Sequence, residues 1–384
     1  MNNTREAQSG TAETDKKEPA NPFWLPREEL QDLLSHLQND GFDVIGPTAC
    51  DGAIVYRKLA SVTELPAGWT DQQGPASYQL VSDPNGRLFD HNSSPDSFKR
   101  TIYPPRQRLS GATLTDEGWQ FSDELEPPPK QAILGVHACD VAAIAIQDRV
   151  FLEGDFVDPV YESRRAALLI IAVECSRSVA TCFCTSMDTG PEVRSAFDLS
   201  LTELDDGFVV RSGSEAGQKI VQSMKLANAT ENQRSSREES LRQTRESITK
   251  RLETDGLHDS LMQNLDHPHW NQVAERCLSC GNCTMVCPTC FCSTVQDVSD
   301  LDQTQVTRVR QWDSCFNPDF SYTASGSVRH DIRSRYRQWL THKLATWQDQ
   351  FDTSGCTGCG RCITWCPVGI DLTEEVAAIA GKRP

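Results

Sequence analysis

The chain has 384 residues, enough for two or three domains. Its 54 acidic and 37 basic residues give a formal net charge of −17, which argues against nucleic acid or an anionic membrane surface as partner and fits simple solubility. Sixteen cysteines in so long a chain do not make a secreted disulfide scaffold, which is typically short; they cluster at metal-ligand spacing, and reduced thiols imply a cytoplasmic setting.

In chain order, residues 1–22 are polar and charged and read as a disordered tail. They hold neither the apolar core of a signal peptide nor a twin-arginine motif. No stretch approaches the roughly 18 apolar residues of a membrane span. Apolar residues from Trp24 to Leu37 fall near helical spacing and predict a helix over 26–38. Residues 42–125 read as short strands and turns, and 125–130, rich in proline, as a rigid connector.

The apolar run 132–136 predicts a strand, 140–152 a helix and 167–173 a second, buried strand. Strand, helix, strand is a βαβ unit with parallel strands. Cys139 follows the first strand and Cys175 the second, so both emerge at one carboxyl edge of the sheet, where open α/β sheets place ligands. Cys182 and Cys184 follow in a loop off that edge. Residues 198–204 and 208–211 predict a hairpin around Asp205-Asp206-Gly207. An α/β domain over 23–215 is thus expected. A polar, solvated helical connector over 216–269 follows, and then a domain over 270–384 that carries the chemistry.

That last domain says almost the same thing twice. Cys277, Cys280, Cys283 and Cys287-Pro288 recur as Cys356, Cys359, Cys362 and Cys366-Pro367. Each run is C-x2-C-x2-C-x3-C-P, the cluster-binding run of two-cluster bacterial ferredoxins. Three thiolates at two-residue gaps wrap backbone around three iron corners. The fourth points away and serves the other cluster. By that rule Cys277, Cys280, Cys283 and Cys366 hold one [4Fe–4S] cluster, and Cys356, Cys359, Cys362 and Cys287 the second. Structural zinc, the plainer alternative, wants four ligands in two separated pairs. Cys139, Cys175, Cys182 and Cys184 are candidates for a third iron–sulfur cluster, with Cys139 favoured as a thiolate by the N-terminus of its helix. Four unrelated thiols or a zinc site are the rival readings. Cys290, Cys292 and Cys315 lie near the first run and have three readings: a further metal site, a redox disulfide, or packing as small apolar residues. Cys50 reads as a lone thiol, and His137 as a ligand, a hydrogen-bond donor or packing. No G-x-G-x-x-G or Walker A motif is present, so no flavin or NAD is expected in this chain, and it lacks the paired C-x2-C ends of a nickel–iron catalytic subunit. The fold expected is an α+β or α/β N-terminal domain followed by an α-helical ferredoxin-like domain with two [4Fe–4S] clusters.

With these residues in place the chain resembles the iron–sulfur beta subunit of cytoplasmic sulfhydrogenases, the NAD(P)-linked nickel–iron hydrogenases, a family that includes the corresponding iron–sulfur subunit of anaerobic sulfite reductase. The resemblance is carried by Gly135-Val-His-Ala-Cys139-Asp140, Asp148-Arg-Val-Phe-Leu152, Thr181-Cys-Phe-Cys184 with Gly190-Pro191, the first run extended to Cys292, Trp312-Asp-Ser-Cys315 and the second run. It covers roughly 130–384. The chain departs from the family's Arg-Pro before the first cysteine, having His137-Ala138. The resemblance implies an electron relay linking three partners: a flavin subunit that handles NAD(P)H, a small cluster-bearing subunit, and the catalytic subunit, most simply a nickel–iron hydrogenase. A sulfite-reducing complex is the alternative within the class. A cluster-bearing sensor or scaffold is the alternative outside it, although the sequence has no DNA-binding motif or basic face.

Overall fold

The computed structural model describes residues 21–123 and 127–381. The expected tail lies outside them except for its last two residues, and so does the start of the Pro-rich connector. Strand β1 (Phe23–Pro26) precedes helix α1 (Leu30–Asn39). The helix expected over 26–38 therefore starts later. Trp24 and Leu25 belong to β1, where they pair with Val209 and Phe208, and Leu25 is fully buried.

Three hairpins follow: β2 (Asp43–Cys50) with β3 (Ala53–Lys58), β4 (Trp69–Gly74) with β5 (Ser77–Ser82), and, after the short helix α2 (Lys99–Ile102), β6 (Arg106–Thr115) with β7 (Gly118–Ser122). The βαβ unit is present as β8 (Gln131–His137), α3 (Ala138–Leu152), α4 (Pro159–Ala166) and β9 (Leu168–Val173), with β8 and β9 parallel. All six residues of β9 are buried and most are β-branched or Leu, the signature of a central strand covered on both faces. The hairpin of β10 (Leu199–Leu204) and β11 (Gly207–Ser212) lies where the Asp-Asp-Gly turn placed it.

Eight strands make one mixed sheet. Its order includes a late two-residue strand, β12 (Ala227–Asn228), and runs β12-β1-β11-β10-β9-β8-β2-β3. The four inner strands β10, β9, β8 and β2 are parallel neighbours, and the flanking pairs are antiparallel. One face packs Leu134, Ile171 and Leu201 against α1; the other packs Ile133, Ile170 and Ala172 against Val141 and Ile144 of α3. Each such Leu, Ile or Val side chain contributes roughly 1.5–3 kcal/mol on leaving water.

Around β12 lie α5 (Glu215–Ser223), α6 (Glu231–Ser247), α7 (Leu257–Gln263) and α8 (His269–Arg276). This segment is helical as expected but is not a solvated connector along its length. β12 joins the edge of the main sheet, Leu241 and Thr244 of α6 are buried, and Arg237 donates to Glu174 at 2.8–2.9 Å. The buried Glu174 carboxylate, also met by Arg211 at 2.6 Å, fixes a helix too polar to dock by its apolar residues.

The remaining elements are α9 (Asn282–Met285), the hairpin β13 (Ser293–Ser299) and β14 (Gln305–Trp312), α10 (Ile332–Thr341), a π-helical turn (His342–Thr346), α11 (Trp347–Phe351), α12 (Arg361–Thr364) and α13 (Leu372–Ala380). Their core holds Trp270, Tyr336, Trp339, Ile363 and Leu372. The β13–β14 hairpin pairs through β14 with β6, from Gln305 opposite Thr113 to Gln311 opposite Arg106, giving a second sheet in the order β13-β14-β6-β7. Two stretches far apart in the chain thus share one sheet. Among the described residues no helix is long and apolar enough to cross a membrane.

Candidate metal centres

The two cysteine runs adopt one local geometry. Gly281 and Gly360 stand at the N-termini of α9 and α12 with φ of 77° and 76°, left-handed values that favour glycine. The amide of Ser279 donates to Cys277 Sγ at 3.4 Å. At the equivalent place the amide of Gly358 donates to Cys356 Sγ at 3.4 Å. Asn282 reaches across and donates to the carbonyl of Trp365 at 3.3 Å. The repeat in sequence is therefore a repeat in backbone.

The first cavity is lined by Cys277, Cys280 and Cys283 together with Cys366 of the other run, under Phe316, Tyr336 and Trp339. Cys362, also of the other run, lines the same cavity. Cys280 is exposed and the others are half-buried. Burial pushes the Cys283 thiol well up, and the neighbouring Cys277, Cys366 and Cys280 add to it.

Around the second set, Cys362 is pushed well up by burial and then by Cys356, Cys359 and Cys287, so these four sulfurs act on one another. Cys356 is pushed up to about 12, chiefly by burial, against the pull of Lys343. Cys287 goes the other way. A hydrogen bond with Cys290 holds its thiol well below the ordinary value, and the Lys343 ammonium helps. Lys343 is buried, sits on the π-helical turn and donates to Cys287 Sγ at 3.2 Å, Thr289 Oγ1 at 3.2 Å and the Gly355 carbonyl at 2.9 Å. π turns inside helices often mark functional sites.

The third cavity gathers Cys139, Cys175, Cys182 and Cys184 at the carboxyl edge of β8 and β9, with Cys359 of the second run in its wall. A bulge at Gly135 (φ 87°) shifts the register of β8 on β9 and turns the segment Val136–Cys139 toward the cavity. The expected help from the helix N-terminus loses to burial: the Cys139 thiol is pushed well up by desolvation, then by Asp140 beside it. Cys182 and Cys184 are pushed up to about 11 and about 12, mainly by burial. His137 lines the same cavity with its Nε2 buried and without a hydrogen-bond partner, its ring edge-on to His91 at 5.3 Å. Thr244 of α6 donates to the Cys175 carbonyl at 3.0 Å, and Ile248 completes the wall.

The second run is locked to the α/β part. Arg361 and Asp140, each 1% exposed, form a two-pronged ion pair at 2.7 and 2.8 Å, and Arg361 also donates to the Ser94 carbonyl at 2.7 Å. The Phe183 amide donates to the Gly358 carbonyl at 2.9 Å, and Thr189 donates to the Thr357 carbonyl at 2.6 Å. Cys359 thus walls the third cavity while Cys362 walls the first. Among the described residues no three His, Cys, Asp or Glu side chains converge on a point for a single ion.

Cys290, Cys292 and Cys315 line neither of the two thiol cavities; Cys290 adjoins Cys287 of the second set. Cys50 lies apart at the end of β2, where Arg57 donates to its sulfur at 2.9 Å. Sequence reasoning missed Lys343, Lys99, Arg361, Asp140 and Glu174. Lys343 left a signal, since it falls on the stripe of Trp339, Leu340, Leu344 and Trp347, where a charge is out of place. Arg361 left none, because a position between two ligand cysteines is free to be polar.

Two such thiol runs in one chain define the class of dicluster iron–sulfur proteins. A family profile described as a 4Fe-4S dicluster domain matches residues 276–370, and a second of the same description matches 219–291. The chain is 34% identical over 282 residues to sulfhydrogenase 2 subunit beta of Pyrococcus furiosus, an alignment covering 71% of this chain and 82% of that protein. The chain belongs to the sulfhydrogenase beta-subunit family and carries at least two [4Fe–4S] clusters. No solved structure matches it.

Proposed function

We propose that this chain is the electron-relay subunit of a multi-subunit, cytoplasmic hydrogenase-type oxidoreductase. Cys277, Cys280, Cys283 and Cys366 hold one cluster, Cys356, Cys359, Cys362 and Cys287 a second, and Cys139, Cys175, Cys182 and Cys184 a third. Bound there, such clusters supply one-electron transfer. The protein's part is to hold the thiols, exclude water and set the local charge. Lys343 places a buried cation against Cys287, and Arg361, with its charge met by Asp140, does the same beside Cys359. The observation that carries the reading is the sharing of walls: Cys359 faces the third cavity and Cys362 the first, so one short segment touches all three sites. In this reading 270–384 is a ferredoxin-like unit, helical apart from its hairpins, of which β13–β14 joins it to β6 of the α/β unit 23–215. A flavin subunit that splits the hydride of NAD(P)H into single electrons stands at one end, and a nickel–iron catalytic subunit stands at the other.

The test is iron, sulfide and zinc content with EPR of the dithionite-reduced chain, purified anaerobically. About twelve irons and spin-coupled reduced cubanes support three clusters. About eight irons with zinc would remove the third from the relay. Cys283→Ala should lower iron by about four per chain and slow electron transfer to the catalytic partner. Unchanged iron and turnover in that variant would overturn the ligand set.

A further inference from the structure

The second sheet carries apolar residues on a face that the fold leaves uncovered. Paired residues of an antiparallel sheet project from one face, and successive residues along a strand from opposite faces. The register sets Leu114 opposite Trp119 and places Val306 and Phe121 on either side of Ala112, so these five share a face. The other face, at the same level, holds Gly111, Thr113, Gln120 and Thr307. A sheet with water on both faces has no reason to make one of them apolar; such segregation marks a face that something covers. Among the described residues nothing covers this one: Phe121 is 82% exposed, and Leu114 and Trp119 are 45% exposed each.

The rim is acidic. The turns that close the two hairpins meet at this end of the sheet, where the Leu114 amide donates to the Thr304 carbonyl at 2.7 Å. One turn presents Asp116 and Glu117, and the other presents Asp300 and Asp302 on either side of a fully exposed Leu301. The Asp300 carboxylate accepts from Thr304 Oγ1 at 2.8 Å and from the Gln305 amide at 3.0 Å, which fixes the second turn. Arg308, which shares the apolar face two residues from Val306, is already met by Asp297 through two hydrogen bonds at 2.8 Å. An aromatic and aliphatic centre within a charged rim is the anatomy of a protein interface. A second copy of this chain would bring carboxylates against carboxylates, on a molecule of net charge −17. A protein surface of the opposite sign answers the rim.

We propose that this face docks a neighbouring subunit of the same complex, through a surface with an apolar centre and a rim of lysine and arginine. The inference rests on the multi-subunit reading above. The role it assigns is attachment. At the base of the same strands Lys99 lies 3.9 Å over the Trp312 ring and donates to the Cys287 carbonyl at 3.0 Å, so the base adjoins the second thiol set. The apolar face begins about 20 Å further along β14, at Val306. A subunit held there is fixed to the chain while electrons pass elsewhere.

The native complex, isolated anaerobically through this chain, and the iron-loaded chain alone are labelled with a photoactivated diazirine and mapped by mass spectrometry. Trp119 and Phe121 are expected to take up label in the chain alone and to lose most of it in the complex. Phe121→Ser should weaken retention of the other subunits on dilution by about tenfold, the scale of losing one interface anchor. Glu117→Lys should weaken it at low salt and less so at high salt. Iron per chain and reduction by methyl viologen stay as in the wild type in both variants. Equal labelling of the two samples overturns the proposal. So does protection of Trp119 in the isolated monomer, which would mean that another segment of this chain lies over the face, and so does protection that arises only as the isolated chain dimerises. If the chain brings no other subunit from its cells, the multi-subunit reading falls with it; if subunits come and the labelling is unchanged, the docking face alone is wrong. The wild-type labelling stands even if a variant does not fold.

Discussion

Lys343 is a side chain whose position can be read as a potential. Burial alone would push its ammonium down; Cys287, Cys290 and Cys356 outweigh that and hold it charged. A fixed positive charge beside a cluster ligand favours the reduced, more negative state. Replacing it by a neutral side chain of similar length should lower the midpoint of one cluster. Coulomb attraction at an effective dielectric of about 20 suggests tens of millivolts to roughly 100 mV for one electron. EPR-monitored redox titration of Lys343→Met would show one signal displaced to lower potential and the others in place; no displacement would mean that the charge is neutralised by something else. Arg361 makes the complementary case, in which charge holds structure. Its pair with Asp140 is fully buried, and removing one partner strands the other charge. Arg361→Met should cost about 3–5 kcal/mol in denaturant unfolding of the iron-loaded chain. A loss under about 1 kcal/mol would show the pair to be relaxed by water.

At the scale of elements, the two runs look interchangeable but meet different neighbours. Gly358 has φ of 64°, and a Cβ there would lie 2.6 Å from the backbone of Phe183 and Cys184. The same place in the first run is Ser279, a residue with a Cβ that takes φ of 53°. A Cβ on Gly281 would meet side chains, Ser314 at 3.1–3.3 Å and Thr284 at 3.8 Å, and no backbone within 4 Å. Gly358→Ala should therefore lift the second run off the loop 181–184 and lower iron per chain by about four or more, whereas Gly281→Ala should cost mainly the strain of its φ, about 1 kcal/mol, and keep its iron. Equal iron in the two variants would mean that the packing between run and loop is dispensable. These elements also show what the sequence made legible. The βαβ unit and the cysteine runs were readable because their signals are local: uninterrupted apolar runs, and ligands at gaps of two and three residues. The pairing of β14 with β6 was not, since about 190 positions separate the strands and nothing in either strand names its partner. Nor was the docking of α6, which hangs on Arg237 meeting a glutamate from the end of β9. The gathering of Cys139, Cys175, Cys182 and Cys184 followed from the parallel-sheet rule alone, while the presence of Cys359 among them did not, because it depends on the docking of the two halves through Arg361.

Across the whole molecule the three thiol sets differ most in their distance from solvent. Cys139, Cys182, Cys184, Cys287 and Cys356 are buried; Cys280 is exposed. Beside Cys280, Leu278 is 61% exposed and Val368 37%, so the first cavity opens through a small apolar rim while the second lies inside. Electron transfer between proteins needs a short gap, and a short gap needs contact that excludes water. An apolar rim around the one exposed thiol meets that need, and a partner seated on it would have the first cluster site nearest. In the proposed relay this makes the first site the terminal one. Leu278→Glu places a charge on the rim without touching a ligand. It should leave iron, EPR and denaturant stability unchanged and slow electron exchange with the protein partner by about tenfold or more, the scale of losing one central interface anchor. Exchange with a small dye such as methyl viologen, which needs no docking, should be unaltered. Stopped-flow comparison of the two donors separates the outcomes. A variant slowed with both has a damaged cluster site, and one slowed with neither places the protein contact elsewhere, on the third site's side of the chain.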